Sequence, residues 1–258
     1  MINFEKWHGN GNDFVIINSI EESIKLKKSF IKKIADRNMG VGFDQLIHIG
    51  LPTKDNHDFF VRFYNADGSE AGMCLNGIRC ASSYIWKKSL APMREINFRT
   101  KHINIKCFPK GDKQVSALLS KPKDMRNALL EKKLKKIIGN EIFLSSIGNN
   151  HLGIKMQSVD KVDLNMLYKK IEKLIKSLDI NLSIFTKKDK FVQIRTFENG
   201  VGETLSCGSA ALCVASHFIR DKAIKIKSFG GQLRFENHRD GILMSGPTNF
   251  IYKGNIDE

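Results

Sequence analysis

Two of the five cysteines, Cys74 and Cys207, lie 133 positions apart in matching sequence surroundings. A turn-rich stretch precedes each of them, and an apolar run typical of a buried helix follows. At the same offset four further pairs correspond: Glu70 with Glu203, Cys80 with Cys213, Ser83 with Ser216, and Ile85 with Phe218. This internal repeat predicts two homologous halves, each with a cysteine near the N-terminus of a central helix.

The placement of these two thiols favours acid–base chemistry. A helix N-terminus carries unpaired N–H groups and about half a positive charge, which lowers the pKa of a cysteine placed there. Inversion at a carbon needs one group that removes a proton from one face and a second group that delivers a proton to the other face. A cysteine protease would use only one nucleophile. A dithiol redox pair, the alternative that stays open here, is normally closer in sequence. The pattern favours a racemase or an epimerase.

The remaining three cysteines are expected to be structural. Cys80 and Cys213 lie along the apolar runs, and Cys107 is interpreted as a small buried hydrophobic residue. The odd number of cysteines argues against a disulfide framework. No CxxC-type pair suggests a zinc site, and no Gly-rich dinucleotide motif follows a predicted strand. We therefore expect neither a metal nor a nicotinamide cofactor.

These residues belong to a chain of 258 residues, of which 41% are hydrophobic and 27% are charged. The length predicts one large domain or two smaller ones. No stretch approaches the ~18 uninterrupted apolar residues of a membrane span. Glu5, Lys6 and Asp13 lie where a signal peptide would need its apolar core. We therefore expect a soluble, cytoplasmic protein with no membrane partner.

The net charge is +15, from 42 Lys and Arg residues against 27 Asp and Glu residues. Nucleic-acid binding is one interpretation of such a surplus. Many of the lysines, however, lie in segments 130–137 and 167–176, where Leu or Ile recurs every three or four residues. This pattern is typical of amphipathic helices with a solvated cationic face. We expect a solvated surface and no nucleic-acid partner.

Several motifs resemble those of the diaminopimelate epimerase family, and they occur in the family's order along nearly the whole chain. The resemblance is weakest over 110–145 and 155–178. The matching segments are HGNGNDF (8–14), GVGFDQ (40–45), YNADGSEAGMCLNGIRC (64–80), GNNH (148–151), ENGVGETLSCGSAA (198–211) and GPTNFIY (246–252).

The resemblance implies an α/β (α+β) fold of two homologous halves related by a pseudo-two-fold axis. Each half would be a curled, mostly antiparallel sheet wrapped around a central helix, in agreement with the internal repeat. We expect residues 1–115 to form the half that carries Cys74, completed by the C-terminal tail 247–258. Residues 116–246 would form the half that carries Cys207.

The resemblance also implies an activity. The family interconverts LL- and meso-diaminopimelate without pyridoxal phosphate, in lysine and peptidoglycan precursor synthesis. The implied partner is a small amino-acid substrate, no cofactor is required, and the protein would be a cytoplasmic homodimer. A third alternative is a non-catalytic basic protein that binds an anionic partner. The presence of both cysteines together with His151 and Glu198 argues against it.

The family's functional residues can be carried over position by position. Cys74 would be the thiolate base and Cys207 the thiol acid, with His151 and Glu198 polarising the thiols and contacting the substrate amine. The reacting carboxylate would receive N–H groups at the two helix starts, around Leu75 and Asn76 and around Gly208 and Ser209. Further amides would hold the substrate: Asn12, Gln45, Asn65, Asn149 and Asn181.

Three positions depart from the family's pattern. Leu75 replaces the glycine that follows the first cysteine in the family's CGNG, and Ala210 replaces the last glycine of its CGSG. Asn199 replaces the arginine that grips the distal carboxylate of the substrate, and an amide cannot supply a charge-assisted fork. A racemase or epimerase of another amino acid, one that lacks the distal carboxylate, is therefore the alternative function.

Overall fold

A computed structural model describes residues 1–111, 113–219 and 222–257. The chain divides into two compact units, Met1–Leu119 with Ser245–Glu258 and Ser120–Met244, which we call unit 1 and unit 2. The helices are α1 (Lys28–Ala35), α2 (Leu75–Lys87), α3 (Ala128–Ile138), α4 (Leu164–Ile175) and α5 (Gly208–Ser216), with a 3₁₀ turn at Lys176–Leu178.

The strands of unit 1 come from both ends of the chain. They are β1 (Ile2–Gly9), β2 (Asn12–Asn18), β3 (Gln45–Gly50), β4 (Phe59–Asn65), β5 (Glu70–Ala71), β6 (Ile96–Arg99), β7 (Asn104–Pro109) and β8 (Gln114–Leu119), joined by the C-terminal strand Asn249–Ile256, which is β18 in chain order. The strands that begin in unit 2 are β9 (Lys123–Asp124), β10 (Ile142–Ile147), β11 (Asn149–Lys155), β12 (Ile180–Lys187), β13 (Val192–Glu198), β14 (Gly202–Thr204), β15 (Ile224–Ser228), β16 (Gly231–His238) and β17 (Gly241–Pro247).

Unit 1 is a curled sheet around α2. Its order runs β18–β1–β2–β3–β4–β6–β7–β8, and two of these pairs, β2/β3 and β4/β6, are parallel while the rest are antiparallel. The short β5 pairs with β4. Helix α2 contacts β1, β2 and β3 and also β7 and β8. The helix touches strands from both ends of the sheet because the sheet wraps around it.

Unit 2 repeats this arrangement around α5. The order β10–β11–β12–β13–β15–β16 has its parallel pairs at β11/β12 and β13/β15, the positions that match those of unit 1. Helix α5 contacts six of these strands and follows β13 and β14 as α2 follows β4 and β5. The expected α/β class, with curled and mostly antiparallel sheets around central helices, is confirmed.

The two central helices, α2 and α5, are buried on nearly all sides. In α5 eight of nine residues are buried, and in α2 eleven of thirteen. A helix that is buried all round needs a sheet on most of its sides. A cysteine precedes each helix as its N-cap, in extended backbone conformation. The expected order of turn, cysteine and buried helix is thus confirmed in both units.

The lysine-rich segments also form the expected amphipathic helices. Helix α4 buries Leu164, Tyr168, Ile171 and Ile175 in the core of unit 2, where Leu134 of α3 also lies. The lysines of both helices lie on the solvent side. None of the helices in the described part of the chain has the length and apolar character needed to span a bilayer.

Candidate active site

Cys74 lies at the junction between a turn and α2. Its partly buried Sγ accepts a hydrogen bond from the N–H of Gly77 at 3.3 Å. The thiol faces the side-chain oxygen of Asn12, with 3.6 Å between Sγ and Oδ1. A donor therefore stabilises the thiolate, and an acceptor stabilises the thiol.

Gly77 allows α2 to pack against the sheet of unit 1. A Cβ atom at this position would lie 2.7 Å from the ring of Phe63 and 3.3 Å from the side chains of Ile47 and Phe14. The absence of a side chain brings the first turn of the helix, and with it Cys74, down onto the strands.

The amides expected around Cys74 lie at the ends of neighbouring strands and in the first turn of α2. Asn76 donates its Nδ2 to Asn12 Oδ1 at 3.4 Å. Gln45 and Asn65 are opposite each other in the β3/β4 ladder, and Gln45 Nε2 donates to Asn65 Oδ1 at 2.9 Å. Leu75, the first residue of α2, is buried. Asn12, Gln45 and Asn65 thus share one end of the unit 1 sheet, and Leu75 and Asn76 lie in the first turn of α2.

A network of charged residues holds the start of β2. Asp13 accepts hydrogen bonds from Lys6 Nζ at 2.6 Å and from the guanidinium of Arg37 at 2.8 and 3.1 Å. Arg37 also donates to Asp44 at 2.8 Å. Burial opposes the ionisation of Asp13, but the hydrogen bonds from Arg37 and Lys6 outweigh it and lower the pKa of Asp13 to about 2. The network fixes the backbone beside Asn12.

Cys207 caps α5 in unit 2, and its environment differs from that of Cys74. Its Sγ lies 3.3 Å from the hydroxyl oxygen of Ser209. Desolvation and the negative charge of Glu198 raise the pKa of Cys207 well above the usual range of a thiol. The expectation that a helix start lowers the pKa is therefore wrong for Cys207, because burial outweighs the helix N-terminus. This cysteine carries its proton at neutral pH.

His151 is a buried residue of β11, with only 1% of its surface exposed. Neither ring nitrogen has a hydrogen-bond partner among the described residues. Desolvation lowers its pKa to about 4, so the imidazole is neutral at physiological pH. An unpartnered imidazole is costly to bury. His151 therefore has donor and acceptor capacity that the described part of the chain does not use.

Glu198 and Asn181 lie beside the same end of the unit 2 sheet. Glu198 accepts a hydrogen bond from the hydroxyl of Thr204 at 2.7 Å. Asn181 lies opposite His151 in the β11/β12 ladder, and its Oδ1 accepts the backbone N–H of Asn199 at 2.9 Å. Unit 2 thus places an imidazole, a carboxylate and an amide at one end of its sheet, and the carboxylate acts electrostatically on the Cys207 thiol.

The side chain of Asn199 is held within unit 2. Its Oδ1 accepts a hydrogen bond from the hydroxyl of Tyr168 at 2.8 Å, and its Nδ2 donates to Asp179 at 2.7 Å. The ring of Tyr168 stacks on Phe197 at 4.1 Å between centroids. Both polar atoms of the Asn199 amide therefore have a partner.

The repeated ladders show which positions correspond in the two units. Phe14 is opposite Gln45 in the β2/β3 ladder, as His151 is opposite Asn181 in the β11/β12 ladder. The matching strands β4 and β13 end at Asn65 in unit 1 and at Glu198 in unit 2. Titratable groups therefore occupy the unit 2 positions whose unit 1 equivalents are phenylalanine and asparagine.

The other predicted residues have simpler placements. Gly208 and Ser209 form the buried first turn of α5, whereas Asn149 is exposed at the start of β11. Residues that contact the predicted set and had not been singled out from the sequence include Thr204, Tyr168, Asp179 and Asp44. Thr204 lies inside the 198–211 motif, and this position could have identified it as a candidate site residue. Within the described ranges no cluster of three or more His, Cys, Asp or Glu residues could hold a metal ion.

Comparisons with known proteins agree with one another. The family model described as "Diaminopimelate epimerase" matches residues 4–122 and 143–251. A diaminopimelate epimerase from Acinetobacter baumannii (strain AYE) is 31% identical over 274 residues, covering 100% of this chain and 98% of the relative. A second, from Ectopseudomonas mendocina (strain ymp), is 30% identical and covers 99% of each chain.

Solved structures of low identity share the fold. A phenazine biosynthesis protein of the PhzF family from Bacillus anthracis superposes with a TM-score of 0.74 at 14% identity, covering 100% of this chain and 99% of that one. A hydroxyproline epimerase from Agrobacterium vitis, with bound trans-4-OH-L-proline, gives 0.72 at 10% identity, covering 99% and 90%.

Proposed function

Because this chain belongs to the diaminopimelate epimerase family, we propose that it interconverts LL- and meso-diaminopimelate by a two-thiol mechanism. The observation that carries the chemical part of this proposal is the pair of partly buried cysteines, each capping the central helix of a unit with the same strand order. Two equivalent groups are what proton transfer on two faces of one carbon requires.

The proposed reaction balances without an oxidant or reductant. The thiolate of Cys74 takes the α-proton, so that an S–H bond forms, the C–H bond breaks and the electron pair stays on the α-carbon and its carboxylate. The thiol of Cys207 gives its proton to the opposite face, and a new C–H bond forms. Cys207 is then the thiolate and Cys74 the thiol, and exchange with solvent restores the starting state.

The unit 2 environment supports the acid role of Cys207. Its raised pKa keeps the thiol protonated before the reaction. The neutral imidazole of His151, with both nitrogens unpartnered among the described residues, has capacity to bind a substrate group. We propose that His151 and Glu198 contact the substrate amine, and that the amides Asn12, Asn65, Asn76, Gln45, Asn149 and Asn181 hold the rest of the molecule.

Family membership also supports a cellular role and an assembly. We propose that the product enters lysine and peptidoglycan precursor synthesis, that the enzyme works in the cytoplasm, and that it is a homodimer. Analytical ultracentrifugation of the purified protein tests the assembly, since a single species at 29.3 kDa would contradict the dimer.

A second candidate function rests on Asn199. The residue lacks the positive charge of the family's arginine, and its amide is bonded to Tyr168 and Asp179. A substrate without a distal carboxylate would not need that charge. The alternative is therefore a racemase or epimerase of another amino acid that uses the same two thiols.

The experiment that separates these functions is an activity assay with the purified protein and no added cofactor. LL-diaminopimelate and a panel of monocarboxylate amino acids are incubated separately, and the stereoisomers are resolved by chiral chromatography. We expect meso-diaminopimelate to form, and the double variant Cys74→Ala/Cys207→Ala to form none. Inversion of a monocarboxylate amino acid with no action on diaminopimelate would favour the alternative.

A further inference from the structure

The acceptor that faces the Cys74 thiol is one end of an amide, and an amide can face a thiol with either end. If the Asn12 oxygen faces Sγ, it accepts the S–H and stabilises the thiol. If the NH₂ group faced Sγ, it would donate and stabilise the thiolate. The orientation of Asn12 therefore affects how readily Cys74 loses its proton.

Asp44 determines this orientation. The Nδ2 atom of Asn12 lies 2.8 Å from Asp44 Oδ2. A carboxylate has acceptors only, so the group that faces it must be the NH₂. The Oδ1 atom of Asn12 is then the end that lies 3.6 Å from Cys74 Sγ and 3.4 Å from Asn76 Nδ2. Both neighbours on that side offer a hydrogen to the oxygen, so the contacts agree on one orientation.

Asp44 is itself held in place. Its carboxylate accepts from Arg37 at 2.8 Å and from the backbone N–H of Asp13 at 3.2 Å. The backbone N–H of Asp44 in turn donates to Asp13 Oδ1 at 3.0 Å. These contacts fix both the position of the carboxylate and the start of β2, from which Asn12 extends.

We propose that Asp44 is a positioning residue for the reaction: it orients the Asn12 amide so that the carbonyl oxygen holds the proton of Cys74. This acceptor favours the thiol form of Cys74, whereas the N–H of Gly77 favours the thiolate. Arg79 and Cys80, on the same helix, also interact electrostatically with Cys74. The catalytic meaning of the inference rests on the proposed function, but the orientation itself does not.

The equivalent position in unit 2 is built differently. Asn149 begins β11 as Asn12 begins β2, but it is exposed, and the side-chain oxygen found beside Cys207 belongs to Ser209. A hydroxyl can donate or accept and so imposes no single orientation. The fixed acceptor is thus a property of the Cys74 site.

The test is the rate at which iodoacetamide alkylates Cys74 at pH 7 in the absence of substrate, followed by peptide mass spectrometry. In Asp44→Asn the new amide can face either end of the Asn12 amide, so the Asn12 oxygen is no longer held towards Cys74. The thiolate form of Cys74 is then more populated, and alkylation should accelerate about fivefold, which corresponds to the free energy of one net hydrogen bond. Asn12→Ala, which removes the acceptor outright, should also accelerate it. An unchanged rate in Asn12→Ala would overturn the proposal, even if Asp44→Asn did not fold.

A double-mutant cycle separates orientation from charge. If Asp44 acts through Asn12, Asp44→Asn should have no further effect in the Asn12→Ala background. An equal acceleration in both backgrounds would mean that the lost charge acts directly, and would overturn the proposal. Arg37→Gln keeps the Asp44 carboxylate and should change the rate by less than about twofold. The buried thiol of Cys80 reports unfolding of unit 1, and its rate should stay unchanged in every variant.

This measurement is independent of turnover. A wild-type protein inactive on diaminopimelate would refute the proposed function and leave the alkylation result intact. If the wild type is active, Asp44→Asn should lower kcat, because the altered contact acts on the reacting proton, and should raise KM as well, because Asn12 is also proposed to hold the substrate. A change confined to KM would contradict a role at Cys74.

Discussion

At the scale of single residues, the two cysteines have different surroundings although each caps a central helix. Cys74 lies between the N–H of Gly77 and the oxygen of Asn12. Cys207 lies beside Ser209, and burial together with the charge of Glu198 raises its pKa. This difference supports the proposed acid role of Cys207, whose thiol is protonated at neutral pH.

The first prediction concerns these two thiols. Cys74→Ala and Cys207→Ala should each lower kcat/KM for diaminopimelate by more than ~10²-fold, because a positioned acid or base contributes 10²–10⁴-fold. The controls are Cys80→Ala and Cys213→Ala, which remove the buried thiols at the matching offset. Near wild-type epimerisation by either Cys74→Ala or Cys207→Ala would refute the two-thiol mechanism.

A second prediction at this scale concerns Asn199. Asn199→Arg should lower KM for diaminopimelate about tenfold, since a charged partner for the distal carboxylate is stronger than a neutral one. The effect on kcat should be smaller, because the distal end is bound alike in the ground state and the transition state. Asn199→Gln, which lengthens the side chain without charge, is the matched control. An Arg variant with unchanged or raised KM would indicate that the carboxylate lies elsewhere or that Asp179 takes the new cation.

A third prediction concerns His151 and pH. Its pKa of about 4 lies below the ordinary value of 6.5, so between these values the unfolded chain binds a proton that the folded chain does not. Above pH 6.5 this group therefore costs no stability. As the pH drops from 6.5 towards 4, protonation of the unfolded chain lowers the free energy of unfolding by about 3 kcal/mol. Urea denaturation of wild type and His151→Gln between pH 4 and 7 should show a flatter slope in the variant. His48, whose pKa burial also lowers to about 4, is common to both proteins. Parallel slopes would contradict the assignment.

At the scale of elements, the contact between α2 and its sheet determines where Cys74 lies. Gly77→Ala places a Cβ 2.7 Å from the Phe63 ring, and the resulting overpacking should lower the free energy of unfolding by roughly 1–3 kcal/mol. The control is Gly50→Ala, where a Cβ would meet the Phe60 carbonyl oxygen at an ordinary 3.9 Å. Chemical denaturation measures both. Equal stability of the two variants would mean that α2 tolerates displacement.

The elements differ in how far the sequence predicts them. The buried helices and their cysteine caps follow from apolar runs after turn-rich stretches, and α3 and α4 follow from a period of three to four residues. The sequence around a cysteine does not show how deeply its thiol is buried, and for this reason the raised pKa of Cys207 was not predicted. The contacts of Asn199 with Tyr168 and Asp179 were also missed, because they join residues 31 and 20 positions apart, respectively, with no shared motif.

At the scale of the whole molecule, the internal repeat carries most of the fold information. The offset between Cys74 and Cys207 predicted two similar halves, and the ladders of the two units do repeat, with parallel pairs at matching positions. The sequence could not indicate that His151 corresponds to Phe14, because only the strand register aligns them. The roles of the site residues and the exact domain limits stay predictions.

The central claim is that two thiols act on opposite faces of the α-carbon, and isotope exchange tests it most directly. The wild-type protein is incubated with LL-diaminopimelate in D₂O, and both isomers are analysed by mass spectrometry at less than about one-tenth conversion. Because the thiol that delivers the proton has exchanged with solvent, the meso product should carry one deuterium, while the recovered LL substrate should carry none. Deuterium in the recovered substrate at the same early time, or a product that retains the substrate's hydrogen, would indicate a single base and contradict the account.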